Sequence, residues 1–247
     1  MSVNPKTGKK YSDTFLKTLH EGLSAILNHA VKYYGLTKNA VSLAGSIGSS
    51  KTENINFWTT DDYTKFREVI KKDNPFMYCC FEVLYWTGIR EGELLALTPA
   101  DINLEKNTIS ITKTYYVIGK DEIISSPKTK NSYREVSIPQ FLADELKEFI
   151  DKMYKIKPDE RLFYTTKFSL LRALHKYGDK AGLSRLRVHD LRHSHISMLI
   201  NLGYSAVSIA ERVGHSSIAI TYRYSHMFPT VQKDMANTFE KLNEKIS

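Results

Sequence analysis

The stretch PFMYCCFEVLYWTGIREGELLAL, at residues 75–97, is the starting point for predicting this fold. Residues 75–87 are apolar on all sides, which indicates a buried helix that Gly88 ends. A second, short helix is predicted over residues 91–97. Arg90 therefore emerges between a buried helix and a short one, at a junction where an active site can be built.

Most of the remaining chain shows the spacing of amphipathic helices. The predicted helices cover residues 12–34, 59–71 (with Thr60 or Asp61 as N-cap), 140–153, 168–181, 189–202, 205–213, 217–225 and 229–245. Alternating apolar residues predict strands at 108–112, 122–125 and 134–139, with turns at 119–120 and 128–132. We therefore expect a mostly helical α+β fold with one small three-stranded antiparallel sheet.

A glycine- and serine-rich segment, GSIGSSKT at residues 45–52, predicts a linker between two domains. The predicted division gives a small helical domain at 1–52 and a larger domain at 53–247. The small domain contains one long helix and little else, so it cannot easily bury a core alone. We expect it to be part of a larger domain whose beginning precedes this sequence.

The net charge of the 247-residue chain is +8, and its distribution is uneven. Residues 1–52 contain seven lysines and only two acidic residues, which gives this small segment a net charge of +5. Such a balance favours a polyanionic partner such as DNA or RNA. The alternative is a solvated surface that only aids solubility.

Several classes of protein are excluded by what the sequence lacks. It has no apolar run of the roughly 18 residues that a membrane span requires, and its N-terminus has no secretory signal. The adjacent Cys79 and Cys80 cannot form an ordinary disulfide without strain, which fits a reducing cytoplasm. No Walker A, Rossmann or nucleophile-elbow motif is present, so no nucleotide or flavin cofactor is expected.

The segment VHDLRHSH, at residues 188–195, concentrates residues that carry chemistry. His189 and Arg192 are three positions apart and share one helix face, whereas His195 lies on the apolar stripe and is expected to be packed. A surface patch is the alternative for the first pair. A metal site built on His189 and His193, with His195 or His215, is disfavoured because Arg192 would place a fixed cation beside the metal.

Arg90 and Glu93 form a second candidate group. Glu93 lies one helical turn after Arg90 and can orient its guanidinium. The alternative is an ordinary surface ion pair, worth only a few tenths of a kcal/mol.

Taken together, the motifs resemble those of the tyrosine recombinase (phage-type integrase) family. They are TGIREGEL at 87–94, PKTKNSYR at 127–134, HDLRH at 189–193, VGHS at 213–216 and Tyr224. Each is weak alone, but the five occur in the family's order and at plausible spacings. Residues 25–36 also look like the later part of the core-DNA-binding domain found in integrases of integrative elements. The resemblance thus implies a partial DNA-binding domain followed by a catalytic domain.

The resemblance implies a role for each matching residue. Arg90 and Arg192 look like the two phosphate-binding arginines, and Glu93 like the acidic residue that supports the first of them. His215 matches the second histidine position, which can donate a hydrogen bond to a phosphoryl oxygen. Guanidinium groups stay charged at any working pH, so they can replace the metal ion of many nucleases, and no metal or other cofactor is expected.

The same resemblance assigns the groups that move protons and attack. Tyr224 looks like the nucleophile, and its spacing from His215 favours it over Tyr222. His189 looks like the first catalytic histidine, a base or orienting group for the phenol. Lys128 looks like the general acid for the departing 5′ oxygen, with Lys130 as a competing lysine in the same turn.

The family resemblance implies a site-specific DNA recombinase that forms a 3′-phosphotyrosine intermediate and religates without ATP. Its partners would be double-stranded DNA attachment sites and accessory DNA-bending or excision factors. The protein itself would be a tetramer on DNA and a monomer when free. It would act in the cytoplasm, at the nucleoid. Phosphates would be contacted by Lys6, Lys9, Lys10, Lys17, Lys32 and Lys130. Alternatives are a catalytically silent DNA-binding regulator on the same fold and a metal-dependent hydrolase.

Overall fold

The computed structural model describes residues 3–48, 55–126, 133–215, 217–221 and 224. The chain forms two compact units that divide between residues 54 and 55, two residues after the predicted division. The described helices include none that is long and apolar enough to cross a membrane.

The first unit consists of helices α1 (Asp13–Tyr33) and α2 (Ala40–Leu43). Ser12 caps α1 by accepting a hydrogen bond from the backbone N–H of Phe15 at 3.2 Å. The buried Asn39 accepts a bond from the N–H of Val41 at 2.9 Å and donates to Asn28 Oδ1 at 2.8 Å, so one side chain starts α2 and ties it to α1. No residue of α1 is buried in the described structure.

The second unit is built from helices that surround a buried centre. They are α3 (Thr60–Asp73), α4 (Pro75–Thr87), α5 (Glu91–Ala96), α6 (Gln140–Asp151), α7 (Lys167–Lys180), α8 (Asp190–Asn201), α9 (Ala206–Val213) and α10 (Ile218–Thr221). The predicted helix positions are confirmed within one or two residues for α3 to α9. The N-cap of α3 is Thr59 rather than Thr60 or Asp61, because Thr59 and Asp62 form a reciprocal capping box. The predicted helix at 229–245 lies outside the described residues.

Helix α4 is the central element, as its composition predicts. Asn74 caps its first turn, and Gly88 ends it in the left-handed conformation, at a φ of 66°. The helix is buried over almost its whole length and packs against α3, α5, α6 and α8. Its apolar residues point in all directions around the helix axis, and the neighbouring helices cover most of them.

The three-stranded antiparallel sheet is present, but its membership differs from the prediction. It contains β1 (Ile102–Asn103), β2 (Thr108–Ile111) and β5 (Arg134–Ser137), in the order β1-β2-β5. Ile109 of β2 lies opposite Val136 of β5, and both are buried.

The predicted strand at 122–125 is not part of that sheet. It is β4 (Asp121–Ser125), which pairs with β3 (Thr114–Ile118) in a separate hairpin around Gly119, at a φ of 63°. The prediction overlooked β3, whose aromatic and β-branched residues favour a strand. A two-residue turn joins neighbouring segments more readily than a longer connection, so β4 pairs with β3.

A buried carboxylate in α4 ties three helices together. Glu82 is fully buried and accepts hydrogen bonds from Tyr63 Oη and Arg67 Nε, both at 2.9 Å. Trp86 Nε1 donates to its other oxygen at 3.2 Å, and Arg67 continues to Glu145 of α6 at 3.1 Å. Burial raises the pKa of Glu82, against the opposing effect of Arg67.

We predict that Glu82→Ala lowers the free energy of unfolding by about 3 kcal/mol or more, because it strands a partly buried guanidinium and a buried hydroxyl. Urea denaturation followed by circular dichroism measures the change. Glu148→Ala, which removes an exposed ion pair with Lys152, is the control and should cost less than about 0.5 kcal/mol. Equal losses in the two variants would contradict the prediction.

Candidate active site

The junction between α4 and α5 presents Arg90, as predicted. Gly88 is required there, since a Cβ at this position would lie 2.5 Å from His195 Cδ2. Arg90 Nη1 donates to Glu93 Oε1 at 2.9 Å, and Nη2 donates to the carbonyl oxygen of Gly214 at 3.0 Å. The predicted pair of Arg90 and Glu93 is thus formed, and Arg90 also reaches the turn that precedes His215.

Arg134 belongs to the same group of charged side chains, although the sequence analysis gave it no role. Its guanidinium donates to both oxygens of Glu93, at 3.2 and 2.9 Å, and its Nε donates to the carbonyl oxygen of Arg212 at 2.9 Å. Its side chain is only 6% exposed. The sequence did contain a sign that Arg134 belongs to the site, because this residue ends the 127–134 motif and begins a predicted strand.

Glu93 therefore lies between two guanidinium groups in a buried position. Burial raises the pKa of its carboxyl, but the hydrogen bonds and charge of Arg134, with those of Arg90, outweigh it and lower the pKa overall. Glu93 is consequently ionised at neutral pH.

Arg192 of α8 is buried next to the same junction. Its Nη1 donates to the carbonyl oxygen of Gly88 at 2.7 Å, while its Nη2 has no hydrogen-bond partner among the described residues. Burial, and then the charge of Arg90, lower its pKa to about 9. This guanidinium is still a cation at neutral pH and has an N–H group to offer a ligand.

His189 directly precedes α8, and its side chain makes no capping hydrogen bond there. Partial burial of its ring and the charge of Arg192 lower its pKa, so that the neutral form is favoured. Its ring meets that of His193 edge to face, with centroids 5.1 Å apart.

Tyr224 is buried, only 2% exposed, and its hydroxyl forms a hydrogen bond with Nδ1 of His193. The opposite nitrogen of His193, Nε2, lies 3.8 Å from Asp190 Oδ1. Burial, and then His189, lower the pKa of His193 to about 4. The structure thus brings the predicted nucleophile to His193, to which the sequence analysis assigned no catalytic role.

His215 follows α9 and faces the same group of residues. Its Nδ1 and the hydroxyl of Thr221 are hydrogen-bonded at 2.8 Å. Burial, and then the charges of Arg192 and Arg90, lower its pKa to about 3. If Thr221 donates this bond, Nε2 of the neutral ring carries the hydrogen and can donate to a ligand.

His195 is buried, which confirms the expectation of a packed histidine. Its Nε2 accepts a hydrogen bond from Arg212 Nε at 3.1 Å, and burial lowers its pKa to about 3. Within the described part of the chain, no three His, Cys, Asp or Glu side chains are placed to hold a metal ion.

Three of the residues singled out from the sequence, Lys128, Lys130 and Tyr222, lie outside the described residues. The predicted DNA-contacting lysines of the first unit are described. Lys6, Lys9, Lys10 and Lys32 are exposed, and Lys17 is half-buried, 3.8 Å from Glu21.

We predict that Arg134→Ala lowers the free energy of unfolding by about 3–5 kcal/mol, because it leaves the buried Glu93 with a single guanidinium partner. Chemical denaturation measures the loss. Arg185→Ala, which breaks an exposed pair with Asp179, is the matched control. A loss in Arg134→Ala no larger than in this control would show that the buried pair does not stabilise the fold.

The chain is 28% identical to the ICEBs1 integrase of Bacillus subtilis strain 168 over 252 residues, which is 94% of this chain and 66% of that relative. It is also 28% identical to a XerC-like tyrosine recombinase of Caldanaerobacter subterraneus, over 78% of this chain and 56% of that protein. The chain therefore spans about half to two thirds of the length of such relatives.

The fold is shared with solved structures. A Tn1549 transposon integrase in complex with transposon right end DNA superposes with a TM-score of 0.74 at 21% identity, covering 94% of this chain and 80% of that one. A lambda integrase dimer bound to a core site gives a TM-score of 0.57 at 17% identity, over 83% and 72%. These likenesses confirm the mostly helical α+β fold class with small antiparallel sheets. The model of the phage integrase family matches residues 56–230, and the chain belongs to that family.

Proposed function

We propose that this chain is a site-specific DNA recombinase in which Tyr224 attacks the scissile phosphate. The observation that carries the proposal is the buried Arg192, whose Nη2 has no partner among the described residues while its charge interacts with Tyr224 and Arg90. A buried N–H without a partner is costly, and an anion beside it removes that cost. Family membership supports the same assignment.

A phosphodiester suits this site. Arg90 and Arg192 hold its non-bridging oxygens and offset the charge that accumulates in the pentacoordinate transition state. His215 donates a further hydrogen bond from Nε2. Glu93 and Arg134 take no direct part, but they hold Arg90 and the turn before His215 in place.

The chemistry is a transfer of the phosphoryl group to tyrosine and back. The oxygen of Tyr224 forms a bond to phosphorus as the bond to the 5′ oxygen breaks, which leaves a 3′-phosphotyrosine and a free 5′-hydroxyl end. Lys128 is the proposed donor of the proton to that 5′ oxygen, on the basis of its motif alone. Because the covalent link conserves the bond energy, a new 5′ end can be joined without ATP.

The proposed substrate is double-stranded DNA at attachment sites of a mobile element. Relatives support this choice, since the Tn1549 and lambda integrases were solved with DNA. We further propose four protomers on two duplexes, a monomer in the free state and accessory DNA-bending or excision factors. Such a protein acts at the nucleoid in the cytoplasm.

A nicked suicide duplex, which loses its 5′ end after cleavage, tests the proposal by trapping the covalent adduct. We expect the wild-type chain to form the adduct and Tyr224→Phe to form none, because phenylalanine lacks the attacking oxygen. Denaturing gel electrophoresis and peptide mapping identify the modified residue. An adduct formed by Tyr224→Phe would refute the nucleophile.

A catalytically silent DNA-binding regulator is the second candidate, favoured by the net charge of +8 alone. Tight binding of the attachment site without any adduct in the wild-type chain would select it. The Nη2 of Arg192, which has no partner in the part of the chain that the structure describes, favours the enzyme, because a regulator has no need of a buried anion site.

We propose that lysines of the first unit contact DNA phosphates. Replacing Lys6, Lys9 and Lys10 together by alanine should weaken binding at low salt and reduce the slope of log K against log salt concentration by about 0.9 for each lost contact. Filter binding over a salt series measures this slope. The control replaces Lys147, Lys152 and Lys157, each paired with an acidic side chain, and should leave the slope unchanged. Equal slopes in both triple variants would refute these contacts.

A further inference from the structure

We propose that His193 is a catalytic residue, the general base that takes the proton of Tyr224, with Asp190 behind it. The proposal rests on the function proposed above and adds the group that activates its nucleophile. The family resemblance points instead to His189 for this role. The geometry favours His193, because its Nδ1 is hydrogen-bonded to the hydroxyl of Tyr224.

The arrangement contains the nucleophile and base of an activated nucleophile in direct contact, with a carboxylate nearby but beyond hydrogen-bond distance. The attacking oxygen of Tyr224 contacts one nitrogen of the imidazole, and the other nitrogen faces the Asp190 carboxylate at 3.8 Å. A nucleophile, a base in contact with it and a third group that orients the base are the usual signature of such sites. With the hydrogen on Nε2, where the negative charge of Asp190 at 3.8 Å favours it, the lone pair of Nδ1 is left to accept the phenolic proton.

Asp190 is held in place by Arg187. It is buried, and it accepts hydrogen bonds from the backbone N–H of Arg187 at 2.8 Å and from Arg187 Nη2 at 2.9 Å. Because Asp190 begins α8 and His193 lies one turn later, the helix itself sets their spacing. The base is therefore oriented by backbone geometry.

The protonation state of His193 fits a base. Its lowered pKa keeps the ring neutral at pH 7, so that Nδ1 has a lone pair for the phenolic proton. The same low pKa makes the imidazole a weak base, so the transfer depends on its direct contact with the Tyr224 hydroxyl and on simultaneous attack at phosphorus. The charged and titratable groups that face it are Arg187, His189, Asp190, Arg192, His215 and Tyr224. The cations among them also stabilise the phenolate that the transfer produces.

The proton of the Tyr224 hydroxyl moves to Nδ1 of His193, the phenolate oxygen forms its bond to phosphorus, and the P–O5′ bond breaks with its electron pair on the 5′ oxygen. The general acid protonates that oxygen. In the reverse direction the 5′-hydroxyl gives its proton back to the deprotonated general acid and attacks phosphorus. The bond between phosphorus and the Tyr224 oxygen breaks, and the imidazolium of His193 protonates the departing phenolate.

The test compares His193→Asn with His189→Asn on a nicked suicide duplex. Asparagine retains a hydrogen-bond acceptor near the position of Nδ1 but cannot take a proton. We expect the rate of adduct formation in His193→Asn to fall by about 10²- to 10⁴-fold, with DNA binding retained, and the loss in His189→Asn to be smaller. A His193→Asn rate within threefold of the wild-type rate would overturn the proposal. A rate above wild type would also overturn it, because it would show that the hydrogen bond with His193 restrains the tyrosine instead of activating it.

Two readouts separate a base from a merely structural residue. The deficit of His193→Asn should shrink as pH rises toward 10, where solvent ionises the phenol. A duplex with sulfur in place of the bridging 5′ oxygen, whose thiolate leaves without an acid, should not rescue the variant. Rescue by sulfur, or a deficit that is independent of pH, would overturn the assignment.

A measurement on the wild-type protein applies even if the variants do not fold. Nitrogen-15 chemical shifts of His193 should show the hydrogen on Nε2, and finding it on Nδ1 would refute the proposal. Different results refute the two proposals. An adduct formed by Tyr224→Phe would refute Tyr224 as the nucleophile. A wild-type rate in His193→Asn, with no adduct in Tyr224→Phe, would refute only His193 as the base.

Discussion

The pairing of the buried Glu93 with the buried Arg134 and the partly exposed Arg90 is the interaction on which the site depends. A carboxylate removed from water is costly unless it is paired and fully hydrogen-bonded. Arg90 and Arg134 supply that compensation, and in doing so they fix the start of α5, the edge strand β5 and the turn after α9 relative to one another. Three segments far apart in the sequence are thereby held around one charge.

That arrangement lets the protein gather positive charge from its own side chains. Arg192 is buried beside Arg90, and this like charge together with burial lowers its pKa to about 9. The carbonyl oxygen of Gly88 and the carboxylate of Glu93 offset part of the cost. The remaining positive potential would stabilise the phosphate and the ionising tyrosine of the proposed reaction.

Much of the fold was predictable, because helices depend on local patterns. The start and end of α4 were correctly predicted from a proline and a glycine, and the other helices of the second unit from apolar spacing. The strand pairing was not predicted correctly. Strand β4 pairs with β3, which the prediction overlooked, and β1 is the third strand of the sheet. Pairing depends on which segments meet in space, and two residues of β1 leave almost no pattern to detect. The pair of Arg90 and Glu93 was predictable because it lies within one helical turn.

By itself the sequence determined the identities and order of the reactive groups, and therefore the family. The roles of Lys128 and Tyr224 remain predictions. Only the tertiary structure decided that Arg134 clamps Glu93 and that His193, rather than His189, meets the hydroxyl of Tyr224. The reason is physical: periodicity specifies which side of a helix a residue occupies, whereas a hydrogen bond between residues 31 positions apart depends on how the helices pack.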